Sequence, residues 1–79
     1  MEPRTARYRE LRAQLGLTKA ELARTAGRSV GSIERYGHSG ASAVVPPQEV
    51  IERLEAALLS RLKQIALAAG HDLRPRAAA

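Results

Sequence analysis

The chain has 79 residues, a net charge of +5 and no cysteine. That length suits one small domain with one core, and the missing cysteine excludes disulfides and thiolate metal sites. A basic excess favours anionic partners such as nucleic acid or an acidic membrane surface.

The first element spans roughly Thr5 to Leu15, where Tyr8, Leu11 and Leu15 recur at steps of three and four. That spacing puts them on one helical face and leaves Arg7, Arg9 and Arg12 outside it. Gly16 follows and suits the left-handed position that stops a helix. The next start signal is dense. Thr18 with Glu21 three residues on makes a capping box, and Leu17 with Leu22 makes a hydrophobic staple. This second helix runs from Lys19 to about Ala26, where Gly27 breaks it. A third helix, over residues 29–36, starts at Ser29, another N-cap residue. Its Val30, Ile33 and Tyr36 follow at steps of three. Ile33 and Tyr36 can point inward while Gly31, Ser32 and Arg35 face away. Gly31 costs about 1 kcal/mol against alanine inside a helix, and a close approach to the backbone there would account for it.

Residues 37–46 are rich in small and turn-forming types and read as a loop. Pro47 suits the first position of the next helix. From Gln48 to Ala69 there is no glycine or proline, and Ile51, Leu54, Leu58, Leu62, Ile65 and Ala69 recur at steps of three or four. One long helix fits, as do two broken near Ser60. Gly70 is the natural stop, and the tail from His71 to Ala79 is expected to be mobile. The fold class is therefore all-α, with four or five helices. The expected organisation is a main helical domain over 1–59, a helical extension over 60–70 and a flexible tail over 71–79.

Two short helices joined by a glycine turn form a unit that DNA reading requires. The major groove admits one helix, and a second helix must brace it at a fixed angle. Residues 1–36 carry eight basic and four acidic side chains, while residues 37–69 carry three of each. The positive excess thus lies in the half that holds this unit. Leu11-Arg12, Gly16-Leu17-Thr18, Glu21-Leu22-Ala23, Gly27, Ser29 and Ile33, followed by Pro46 and an apolar helix, resemble the lambda-repressor-like helix-turn-helix family, the phage repressor and Cro type. The resemblance covers about Tyr8 to Leu59.

That resemblance implies a third helix in the major groove and a second helix whose start touches phosphate. Thr18 and Lys19 would then be backbone contacts. Ser29, Val30, Gly31, Glu34 and Arg35 would face the groove or its rim. Arg28 or Arg35 can donate paired hydrogen bonds to guanine, Ser29 and Ser32 can hold phosphates, and Val30 can meet a thymine methyl. Three departures stand out. Arg28 replaces an apolar residue, Gly37 replaces a glutamate that pairs with the arginine of the first helix, and the 37–46 loop is longer. Glu34 is the substitute partner expected for Arg12. His38, Ser39 and Ser42 can touch DNA or can belong to a solvated loop.

The late part of the apolar stripe, Leu59, Leu62, Ile65, Ala66 and Ala69, has little left to cover it. Such a stripe marks an interaction surface, and a two-fold homodimer through it is expected. The competing arrangement folds residues 60–69 back as a fifth helix. The expected function is a sequence-specific, double-stranded DNA-binding transcriptional regulator, a repressor of phage, plasmid or bacterial origin. An antitoxin-like or adaptor module and a DNA-bending recombination accessory factor are the alternatives. A short αα-hairpin without a DNA role would carry the same caps.

No catalytic residue is expected. His38 beside Ser39 lacks a third orienting group and the strand of a nucleophile elbow. His38 and His71 lack paired metal-ligand spacing, so neither metal nor cofactor is expected, nor a small-molecule ligand. No apolar run approaches the ~20 residues of a membrane span, and the first residues lead into no secretory signal. A cytoplasmic, nucleoid-associated protein is the expectation. Arg74 and Arg76 belong to a basic tail or a specific arm.

Overall fold

A computed structural model of the chain describes residues 2–37 and 43–70. The described residues are all-helical, with α1 over Pro3–Leu15, α2 over Lys19–Ala26, α3 over Val30–Tyr36 and α4 over Gln48–Ala68. His38, Ser39 and Ser42, Arg74 and Arg76, and the tail over 71–79 lie outside the described residues.

Local chemistry sets most of the boundaries. α1 begins two residues earlier than the apolar pattern predicts. Pro3 takes its first position, and the Glu2 carboxylate accepts the Thr5 N–H at 3.1 Å. Gly16 ends it at φ 63°, in the left-handed region. α2 has the predicted capping box in full: Glu21 N–H donates to Thr18 Oγ1 at 3.2 Å, and Thr18 N–H donates to Glu21 Oε1 at 3.0 Å. α3 starts from Ser29, whose Oγ accepts the Ser32 N–H at 3.2 Å. Pro47 is the N-cap of α4 and not its first residue, because its ψ of 151° is still extended.

Packing follows the apolar stripes. α1 lies along α4, and α2 packs on both α3 and α4. Tyr8, Leu11 and Leu15 from α1 meet Leu22, Ala23 and Ala26 from α2, Ile33 and Tyr36 from α3, and Val50, Ile51 and Leu54 from α4. Leu17, Ala57 and Leu58 close its edge. Across the core, Tyr8 and Tyr36 meet edge to face, with centroids 5.7 Å apart and planes at 77°. The Tyr8 hydroxyl donates to the Ile33 carbonyl at 3.2 Å. Its pKa is raised by burial, against an opposing pull from Arg12. Arg7 ties α1 to Glu55 of α4 at 3.0 Å.

α4 is continuous through Ser60, so the two-helix alternative and the folded-back fifth helix are corrected. A sequence without glycine or proline gives the helix no reason to break there. At 21 residues it is about 31 Å long, longer than the body that covers it. No helix among the described residues is long and apolar enough to cross a membrane.

Candidate nucleic-acid interface

Between α2 and α3 only Gly27, Arg28 and Ser29 intervene. Gly27 sits at φ 67°, and its N–H and that of Arg28 return to the last turn of α2. This left-handed residue reverses the chain quickly enough to start α3 at once. α3 is then fixed from the inside. Ile33 and Tyr36 are buried, the Ile33 carbonyl is bonded by Tyr8, and the Gly37 carbonyl accepts from Arg9 at 2.9 Å.

The outer face of α3 carries the residues singled out from the sequence. Ser29, Val30, Gly31, Glu34 and Arg35 are exposed, and Ser32 is half-buried. Val30 is a large aliphatic left 41% exposed. A Cβ on Gly31 would meet nothing nearer than Arg35 Nη2 and Ser29 Oγ, each at 3.9 Å. No described part of the chain therefore demands glycine by crowding at that position. Arg35 makes no ion pair among the described residues. The two serine hydroxyls are partly occupied by each other, Ser29 Oγ donating to Ser32 Oγ at 3.1 Å.

The start of α2 lies beside this face. Lys19 Nζ stands 3.6 Å from Glu34 Oε1, so these two candidate residues are brought together as an exposed ion pair. Glu34 therefore pairs with Lys19, which corrects the expectation that it replaces the missing partner of Arg12. Arg12 lies against Tyr8 and Gly37 instead, with its Nη1 3.3 Å from where a Cβ on Gly37 would sit. The absent side chain of Gly37 makes that seat. Thr18 is exposed, and its hydroxyl accepts the Glu21 N–H. The Glu21 carboxyl is held below the ordinary value by the Thr18 hydrogen bonds.

Arg28 does not project freely. It donates to the Gly27 carbonyl at 3.2 Å and to Glu49 Oε2 at 3.3 Å. Glu49 also faces Arg53, with Oε1 3.1 Å from Arg53 Nη2. The Glu49 carboxyl is held below its usual value first by Arg28 and then by Arg53, and Arg28 is raised in return. Arg53 in turn lies over Gly27, where an added Cβ would collide with its Nη1. Glu49 and Arg53 were absent from the sequence-derived candidates. Their i, i+4 spacing was a visible signal of a helical ion pair, but the link back to Arg28 spans 21 positions. A wide concavity of about 570 Å³ adjoins this cluster, lined by Ala20, Ala23, Arg24, Gly27, Arg28, Ser29 and Val30.

The second candidate surface is the far half of α4. Leu59, Leu62 and Ile65 are 51%, 46% and 56% exposed, Ala69 is exposed and Ala66 half-buried. Arg61 leaves this face to donate to the Leu15 carbonyl at the end of α1. Among the described residues no group of three or more His, Asp or Glu stands where it could hold a metal ion. Comparison with protein-family models, curated proteins and solved structures returned no match to this chain.

Proposed function

We propose that the chain is a lambda-repressor-like helix-turn-helix protein that binds double-stranded DNA and regulates transcription by occupying an operator, in the manner of a phage, plasmid or bacterial repressor. The observation that carries this reading is the contrast across α3. Its inner side is pinned through Ile33, Tyr36 and the Tyr8 bond, while Val30, Gly31 and Arg35 on its outer side have no partner among the described residues that explains them. A short helix so held, and joined to α2 by three residues, meets the requirement of a groove reader. Val30 offers a thymine-methyl contact and Arg35 a guanine contact. Lys19 and the backbone at the start of α2 serve phosphate. The ion pair of Lys19 with Glu34 is exposed, and such pairs are worth little, so Lys19 can exchange Glu34 for phosphate. The site of action is then the nucleoid of the cytoplasm.

Selection of bound duplexes from a random pool tests the reading. The wild type should return a motif. Arg35→Ala should relax one base position at a cost of roughly 1–3 kcal/mol, and Lys19→Ala should reduce the log–log salt slope by about 0.9 on all sequences. A flat pool with salt-sensitive binding would favour a DNA-bending accessory factor instead.

The exposed stripe of α4 supports a second element of the proposal, self-association. The first half of α4 carries Glu49, Glu52 and Glu55 against Arg53, whereas its second half carries Arg61 and Lys63 and no acid. Whichever way two copies run, pairing through Leu59, Leu62 and Ile65 brings their basic second halves together, an unfavourable charge term. Three aliphatics about half exposed per copy yield roughly 4–9 kcal/mol on full burial. Association costs about 4–15 kcal/mol. The pair is therefore marginal free in solution and gains from two copies held close on one duplex. Sedimentation equilibrium should show a species near twice 8.5 kDa on a palindromic duplex. A single copy per duplex at saturation would favour the adaptor reading, in which the stripe docks another protein.

A further inference from the structure

The turn between α2 and α3 holds a cluster that the reading above leaves idle. Arg28 arrives from the turn itself and Arg53 from α4, and both reach one carboxylate. Glu49 Oε2 accepts from Arg28 Nη2 at 3.3 Å, and its Oε1 lies 3.1 Å from Arg53 Nη2. One anion thus serves two guanidiniums, and Arg24 lines the adjoining concavity. The cluster keeps a net positive charge around a single short-armed acid.

We propose that Arg28 and Arg53 form a paired phosphate-binding site that Glu49 holds in reserve. The biological ligand is a DNA phosphodiester, and in that respect the proposal rests on the DNA reading. Three features support it. The guanidiniums come from separate elements yet converge at Gly27, because the missing side chain there seats Arg53 against the turn backbone. Each guanidinium has five N–H donors in a rigid fork that matches carboxylate and phosphate alike, and Glu49 with the Gly27 carbonyl takes only a few of them. The side chains of Glu49 and Arg53 are 57% and 48% exposed. An exposed ion pair of this kind is weak and exchangeable. Only Ser29 separates Arg28 from Val30 at the head of α3, so the site adjoins the proposed reading face. Glu49 acts as a competitor for these two arginines and sets how much backbone affinity the protein carries.

Glu49→Gln is the decisive change, since it keeps the shape and an acceptor oxygen and removes the charge. Binding to a 20-base-pair duplex should be measured by fluorescence anisotropy across a salt series. Glu49→Gln should tighten binding several-fold on every sequence and steepen the log–log salt slope by about 0.9 to 1.8, one or two further phosphates. Adding Arg53→Gln should return about 0.9 of that gain. An unchanged or shallower slope in folded Glu49→Gln overturns the proposal, with circular dichroism confirming the fold. A second measurement needs no DNA. Titration with inorganic phosphate, followed by NMR of the arginine Nε–H signals, should move Arg28 and Arg53 together, at lower phosphate in Glu49→Gln than in wild type. If neither signal responds, the site is overturned whatever the duplex does. If both respond while no duplex binds, the site stands and the DNA reading falls.

Discussion

From Gln48 to Leu58, α4 buries Val50, Ile51 and Leu54 against α1 and α2; from Leu59 onward the same spacing of three and four carries Leu59, Leu62 and Ile65 into solvent. The two halves are one unbroken helix with one kind of apolar pattern. They differ in what the rest of the chain can offer. α1 ends at Leu15, and the last tie between it and α4 is the bond from Arg61 to the Leu15 carbonyl. Beyond that point no described element covers the stripe. A period of 3.6 therefore states that a face wants cover. Whether the cover comes from the same chain depends on how far its other helices reach.

The sharpest way to break this comparison is to remove the same side-chain atoms from each half. Leu54→Ala empties a fully buried site and should destabilise the fold by about 2–5 kcal/mol, enough to threaten a domain of this size. Leu62→Ala removes a half-exposed group and should leave monomer stability within about 0.5 kcal/mol, while weakening self-association. Urea denaturation of both variants checks this. Equal losses would mean that the far half is covered after all.

A smaller effect tests how the covered half reaches the turn. Gly27 is left-handed, and Arg53 of α4 lies directly over it. Gly27→Ala should cost roughly 1–2 kcal/mol from the backbone conformation. The crowded atom is the mobile end of Arg53, so the guanidinium should swing away at little further cost. Thermal melts of Gly27→Ala and of Gly27→Ala with Arg53→Ala should therefore agree closely. A large rescue by the second change would place the strain in the arginine contact instead of in the backbone.

Legibility in the sequence divides along the same line between local and distant causes. The starts of α2 and α3 were readable because Thr18, Glu21 and Ser29 act within three residues of themselves. The start of α1 was missed by two residues because Glu2 and Pro3 lie ahead of the apolar pattern, and the cap is made by a glutamate, a less usual cap residue. The outer face of α3 was legible as exposed, since Ile33 and Tyr36 fix its inner face. The partners of its charges were not. Glu34 meets Lys19 across two helices, and Arg28 meets Glu49 across the 37–46 loop. Nothing in spacing along the chain sets such distances; they follow from the angles at which the helices pack. The bare stripe was legible because the apolar residues of α1, α2 and α3 are taken up by the first half of α4.

The smallest expected effect concerns acid, and it separates the polar anchor of the covered half from its apolar one. Glu49 has its carboxyl lowered in the fold by Arg28 and then Arg53. A carboxyl with a lower pKa folded than unfolded adds stability above its unfolded pKa, about 4.3 for glutamate. That contribution fades as pH falls through the folded value. Glu49→Gln removes the proton-linked part. Wild type should thus exceed the variant slightly at neutral pH, and the two stability curves should converge as the pH drops below about 4. Glu21 is lowered as well, by Thr18, so both proteins should retain a common acid slope from that group. Curves that stay parallel from pH 7 to pH 3 would show that Arg28 and Arg53 do not hold Glu49 in solution. In that case burial of Val50, Ile51 and Leu54, with the Arg7–Glu55 pair, would anchor the covered half of α4 without Glu49.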